Sequence, residues 1–195
     1  SKYETNFKHK DSNGNSFLKD AIESKNIKIT KDLLENKNLK PDNNELFLES
    51  LASNHEIFSA VIEYADDINV KDENGRNILF SLVKNGLTSI DEFESLIEKD
   101  IDINCIDDNG DNLLLYLINY ILNSSKNNSE DEKRKIASPE ELKNLMEIIP
   151  VIIENHIDTT ACNKDGDNIL TLCIKALDKE LLALLLDYNI NPNLE

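Results

Sequence analysis

The chain has 195 residues, 38 of them acidic and 21 basic, for a formal charge of −17. That balance excludes the basic face by which nucleic-acid binders are recognised, and leaves a solvated, self-repelling surface or attraction to a basic protein. The longest nearly apolar run, 113–122, is interrupted by Asn119 and is too short to span a bilayer, and Cys105, Cys162 and Cys173 lack metal-ligand spacing, which points to a reducing, cytoplasmic compartment with secretion into a host cell left open.

Residues 1–10 are polar and carry no apolar period. Asp11-Ser-Asn-Gly14-Asn-Ser16-Phe-Leu18 is then the first of four related segments. The others are Asp72-Glu-Asn-Gly75-Arg-Asn77-Ile-Leu79, Asp107-Asp-Asn-Gly110-Asp-Asn112-Leu-Leu114 and Asn163-Lys-Asp-Gly166-Asp-Asn168-Ile-Leu170. They use four of the five glycines, so each is read as the start of a repeated unit. Asp or Asn at the first place and Gly at the fourth predict a type I turn. Ser16, Asn77, Asn112 and Asn168 are suited to cap a helix, because a side-chain oxygen accepts from a free N–H of the first turn. Apolar residues at helical spacing follow each cap.

The first unit, 11–43, holds two helices, one with Leu18, Ala21 and Ile22 and one with Ile29, Leu33 and Leu34. It leaves through Lys40-Pro41-Asp42. Gly14 and Gly75 stand nearly two units of about 33 residues apart, so a second unit without glycine lies between them, 44–71. Leu46, Phe47 and Leu51 mark its first helix; Ile57, Phe58, Val61 and Ile62 mark its second. A missing or tightened turn is expected near Asn43–Asn44. The third unit, 72–106, has helices around Leu79, Leu82 and Val83 and around Phe93, Leu96 and Ile97, with Gly86 where the first should stop.

The fourth unit, 107–162, exceeds the usual length by about 23 residues. The excess falls in 123–137, polar and charged, read as a mobile or disordered loop. It is either a tolerated surface excursion or, through Ser124, Ser125 and Ser129, an arm controlled by a partner or a modification. Order resumes at Ser138-Pro139-Glu140-Glu141, a capping box with Pro at the first helical place. The helix that follows holds Pro150, where a kink or break is predicted. The helix before the loop, 112–122, is apolar on most faces and is expected to pack on the lengthened second one. The fifth unit, 163–195, has stripes at Leu170, Cys173, Ile174 and Leu177 and at Leu181, Leu182, Leu185 and Leu186. The final Leu194-Glu195 resembles a cloning scar before a purification tag, so the chain reads as a fragment.

Aligned on these turns, the units resemble ankyrin repeats. The third gives D-x-x-G-x-N-I-L-F-x-L, then Leu96-Ile97 and an Asp100-Ile-Asp-Ile-Asn104 arm. The fifth gives N-x-D-G-x-N-I-L-T, then Leu185-Leu186 and Asn189-Ile-Asn191. The resemblance implies an all-α solenoid of about five stacked helix-turn-helix units in a single domain, 1–195. The Thr-Pro of the family is replaced by Ser-Phe, Asn-Ile, Asn-Leu and Asn-Ile. Its His is absent from every copy, so stability is expected to lean on Leu and Ile burial.

The resemblance also implies a protein-interaction module whose concave face is built from turn tips and first helices. Carried over by position, the tips are Glu73, Asn74, Arg76, Asp108, Asn109, Asp111, Lys164, Asp165 and Asp167. The helix surface is Lys84, Asn85, Asn119, Tyr120 and Lys175, with Tyr120 singled out because exposed Tyr is enriched in interface cores. Charge reversal at Asp108 and Asp111 is expected to weaken binding without lowering the melting temperature. The alternative is an acidic inhibitor that blocks a basic site on a toxin or enzyme. No nucleophile–base pair, phosphate loop or metal spacing is present, so neither catalysis nor a cofactor is expected. The expected partner is a protein, basic in the alternative reading, with no nucleic acid and no membrane, and the chain is expected to be a monomer.

Overall fold

A computed structural model describes residues 12, 16–36, 39, 44–85, 90–125, 138–188 and 190. Among them the regular structure is helical, apart from isolated bridge residues such as the antiparallel pair Ile106 and Asn112. Two compact units divide at Lys71 and Asp72, a predicted repeat boundary.

The first unit holds α1 (Phe17–Glu23), α2 (Ile27–Asn36), α3 (Asn44–Ser53) and α4 (His55–Glu63). Among the described residues, three caps are short polar side chains, each facing a free N–H. Ser16 Oγ accepts from Lys19 N at 3.2 Å, Asn26 Oδ1 from Ile29 N at 3.1 Å, and Asn54 Oδ1 from Ile57 N at 2.9 Å. Two antiparallel pairs stack, α1 on α3 and α2 on α4, and bury Ile22, Leu34, Phe47, Ile57 and Phe58. The unit predicted without a glycine is therefore a helix pair. Ser53 Oγ ties it to the first pair by donating to Ile22 O at 2.9 Å. The first turn's Gly14, the exit 40–42, Asn43, Gly86 and residues 191–195 lie outside the described residues.

The second unit holds α5 (Ile78–Asn85), α6 (Ile90–Ile97), α7 (Leu113–Ser125), α8 (Pro139–Glu154), α9 (Ile169–Ala176) and α10 (Lys179–Asp187). The first helices form a row, α5 on α7 and α7 on α9; behind it α6 packs on α8, and α7 also meets α8. Ser138 and Glu141 form the predicted capping box, with Ser138 N donating to Glu141 Oε2 at 2.6 Å. Cys173 fills core space, and burial pushes its thiol up to about 11.

Two expectations need correction. The α7 helix continues through Asn123–Ser125, which the sequence assigns to the loop; buried Ile121 and Leu122 anchor the turn that those polar residues extend. The rest of the expected loop, 126–137, lies outside the described residues. Nor does α8 break at Pro150. An interior proline costs about 3 kcal/mol. Ile148, Ile149 and Ile152 around it are fully buried, each worth about 1.5–3 kcal/mol, so burial outweighs the lost hydrogen bond.

Candidate functional site

The three described turns of the second unit share one internal design. In the first, Asp72 Oδ1 accepts from Asn74 N and Arg76 N, both at 2.9 Å. In the next, Asp107 Oδ1 accepts from Asn109 N at 2.8 Å and Asp111 N at 3.0 Å. In the last, Asn163 Oδ1 accepts from Asp165 N at 3.1 Å and Asp167 N at 2.9 Å. Each turn closes with the glycine N–H donating to the first residue's carbonyl, at 3.1, 2.9 and 3.0 Å. The glycines take φ of +75°, +82° and +77°, the left-handed region that a Cβ disfavours.

Backbone rungs join the turns. Asp108 N donates to Asn74 O and Lys164 N to Asn109 O, each at 2.9 Å. The tips of the third, fourth and fifth repeats therefore form one edge. Side chains lock the same edge from below. Arg76 Nε and Nη2 both donate to Asp107 Oδ2, at 2.9 and 2.8 Å, and the Asp107 side chain is wholly buried. The guanidinium lies over the Tyr116 ring, 4.7 Å from its centroid, and Tyr116 meets Phe80 edge-on at 5.2 Å. One repeat later the corresponding contact is Asn163 Nδ2 donating to Asp111 Oδ1 at 3.2 Å. Burial raises the Asp111 carboxyl above its usual range; Asn163 opposes this and nearby Asp107 adds to it.

The predicted site residues fall into three groups. Glu73, Asn74, Asp108, Asn109, Lys164 and Asp165 are exposed along the tip edge. Among the described residues the side chains of Glu73, Asn74 and Asp165 make no hydrogen bond or ion pair, whereas Lys164 Nζ donates to Asp108 O. Lys84 is exposed on α5, and the half-buried Tyr120 of α7 reaches it, its hydroxyl donating to Lys84 O at 3.5 Å. Asn119 is half-buried, and the side chain of Asn85 lies outside the described residues. Lys175 is exposed and pairs with Asp167, which is half-buried.

Arg76, Asp111 and Tyr120 are not the free surface groups that the sequence suggested. Arg76 is committed to Asp107, Asp111 is only 7% exposed, and Tyr120 is packed on one side. Charge reversal at Asp111 would place a cation in a buried contact, so an unchanged melting temperature is now expected only for Asp108. The structural partners Asp107, Asn163 and Tyr116 escaped the sequence reading. Their signal is a pairing one unit apart: the residue after each glycine faces the first residue of the next turn.

The capping asparagines also do more than cap. Asn77 Oδ1 accepts from Leu79 N, while its Nδ2 donates to Asp102 O at 2.8 Å. Asn112 Oδ1 accepts from Leu115 N, and its Nδ2 donates to Asp158 O at 2.7 Å. Each amide thus ties the entry of its repeat to the exit arm of the same repeat. Thr has no N–H to offer there, which gives the replacement of Thr by Asn a physical sense. Asn104 adds a link between arms, accepting from Asp158 N at 2.8 Å and donating to His156 O at 3.3 Å. Stability therefore does not rest on apolar burial alone.

Among the described residues no helix is long and apolar enough to cross a membrane. No family model matches the chain, and no curated protein matches it. Solved structures do. An ankyrin repeat domain from Acinetobacter baumannii AYE is similar over 95% of this chain and 87% of its own, with a TM-score of 0.71 at 19% identity. The ankyrin repeat protein EF0377 is similar over the same shares, with a TM-score of 0.69 at 22% identity. The fold is the all-α ankyrin-repeat fold.

Proposed function

We propose that this ankyrin-repeat chain is a protein-interaction module, one domain over 1–195, that engages a partner protein along the turn-tip edge and the adjoining surface of α5, α7 and α9. The observation that carries the reading is a division of labour within each turn. The first residue and the residue after the glycine are used up in holding the edge together. The second and third residues (Glu73 and Asn74, Asp108 and Asn109, Lys164 and Asp165) are exposed on that frame, although Asn109 Nδ2 also donates to Asp107 Oδ2 at 3.4 Å and Lys164 Nζ to Asp108 O. A turn backbone already fixed by these bonds has little further entropy to lose on binding, which favours specific association.

The exposed charged positions of this face are three acids (Glu73, Asp108 and Asp165) and three bases (Lys84, Lys164 and Lys175), so the face is close to neutral in a chain of charge −17. This balance favours a partner surface of mixed polarity over a strongly basic one, and it speaks against the acidic-inhibitor reading for this face.

The test is affinity capture with the wild-type chain and with a Glu73→Lys, Asp108→Lys, Asp165→Lys triple variant. A partner held by the wild type should be lost from the variant, with binding weakened at least tenfold, while the melting temperature stays within about 2 °C, as for exposed sites free of structural bonds. A partner retained equally by both would move the interface elsewhere.

A further inference from the structure

Four of the five glycines follow an asparagine, and that pairing carries a reaction of its own. A glycine nitrogen has no neighbouring Cβ to shield it, so it can attack the carboxamide of the residue before it. The nitrogen bonds to Cγ of the asparagine while its own proton passes to water, and Nδ2, taking a proton in turn, leaves as ammonia. Water then opens the five-membered imide. Breaking the bond from the glycine nitrogen to Cγ leaves aspartate. Breaking the bond to the main-chain carbonyl carbon leaves isoaspartate, whose main chain runs through Cβ and Cγ and whose former carbonyl is a carboxylate. Either product adds one negative charge.

Folding decides which pair reacts. Both residues are described for Asn74-Gly75 and for Asn109-Gly110. In each, the glycine N–H donates to the first carbonyl of the turn, so the turn must open locally before the nitrogen is free. The turn at Asn109 is held shut from outside itself. Its first residue, Asp107, is wholly buried and takes two hydrogen bonds from Arg76 of the preceding turn. Asn109 Nδ2 donates to the same carboxylate at 3.4 Å. Backbone of the next turn fills the flank of Gly110, with Lys164 N 3.1 Å and Asn163 Cα 3.3 Å from where a Cβ would stand. Asn74 lacks these restraints. Among the described residues the Asp72 side chain bonds within its own turn, and the exposed Asn74 carboxamide makes no hydrogen bond. The atom nearest to a Cβ on Gly75 is a side-chain oxygen of Asp108, at 3.0 Å, which can swing aside. Neighbours hold this tip at its carbonyls, Asp108 N at Asn74 O and the Cys105 thiol at Gly75 O.

We propose that Asn74 is a site of spontaneous deamidation in the folded protein, that the Arg76–Asp107 lock protects Asn109, and that the isoaspartyl product loosens the joint between the third and fourth repeats. The last part follows from Asn74 O, which accepts from Asp108 N at 2.9 Å. In isoaspartate that oxygen leaves the main chain as part of a carboxylate, next to Glu73 in sequence. The turn that Gly75 N closes onto Asp72 O gains one carbon. The rung and the turn therefore lose the geometry that the peptide backbone gave them.

The test is to age the folded chain at mildly alkaline pH and follow both sites by peptide mapping. Trypsin separates them, releasing Asn74 within 72–76 and Asn109 within 100–126. Asn74 should convert at least tenfold faster than Asn109. In urea the two should convert within about threefold of each other, because both precede glycine and the turns are gone. Arg76→Gln removes the lock and should speed Asn109 at least threefold; Arg76→Lys, which keeps the charge without the fork, replaces it if the first variant loses its helical circular dichroism. The isoaspartyl form, separated by ion exchange, should melt at least about 2 °C below the unaged chain, and Asn74→Asp, which adds the charge alone, should fall by less. Equal rates at the two sites in the folded chain, or an Asn74 that does not convert, overturns the proposal. So does a tenfold contrast that survives in urea, an Asn109 rate indifferent to Arg76, or an isoaspartyl chain that melts with the unaged one.

Discussion

Gly110 and Gly166 share a backbone conformation but not a neighbourhood. A Cβ on Gly110 would meet Lys164 N at 3.1 Å and Asn163 Cα at 3.3 Å, whereas one on Gly166 would meet nothing within 4 Å. Both substitutions to Ala carry the cost of the left-handed region, about 1–2 kcal/mol; only Gly110→Ala also pushes on the neighbouring turn. Chemical denaturation should therefore show Gly110→Ala to be the more destabilising by at least about 1 kcal/mol, and equal losses would mean that the turns are not in contact. Asp111 supplies a second test. Its folded carboxyl is raised, chiefly by burial, so the folded state holds the proton to higher pH than the unfolded chain. Stability from this group is present at acid pH and lost as pH rises through the folded value. Asp111→Asn keeps an acceptor for Asn163 without the charge. It should raise the melting temperature by about 1–3 °C at pH 7, and the gain should vanish as pH falls to the ordinary carboxylate range; a gain that is flat with pH would assign the effect to something other than the charge.

At the scale of the element, the turns are matched in order. Arg76 faces Asp107, and Asp111 faces Asn163. Of the four turns, only this one opens with Asn in place of Asp, and it is the one whose predecessor presents a carboxylate. Asn163→Asp would set a second, half-buried carboxylate against the buried Asp111 and remove the donor. That should cost about 1–3 kcal/mol. Adding Asp111→Arg would rebuild the pairing seen one repeat earlier and should recover most of the loss, with a coupling of at least about 1 kcal/mol in a double-mutant cycle. Additive effects of the two substitutions would show that the pairing contributes nothing to the joint. The same scale explains why α8 does not break at Pro150: a proline's local cost is visible in sequence, but the burial of Ile148, Ile149 and Ile152 that exceeds it depends on α6 and α7 lying alongside.

For the molecule as a whole, glycine spacing, caps and apolar stripes were enough to place the helix pairs and the ankyrin-repeat fold, because those signals act within a few residues of one another. Even the unit without glycine was legible, since Phe47, Ile57 and Phe58 keep helical spacing. The candidate site was legible only in outline. Position along a turn identified Glu73, Asn74, Asp108 and Asp165 as tip residues, but it grouped Arg76 and Asp111 with them, and nothing local distinguishes a tip that meets solvent from one that meets the next repeat. The sequence by itself determined the repeat, its register and its capping chemistry. Only the tertiary structure decided which polar groups are consumed in joining repeats, because burial is a property of neighbours a whole unit or more away in the chain.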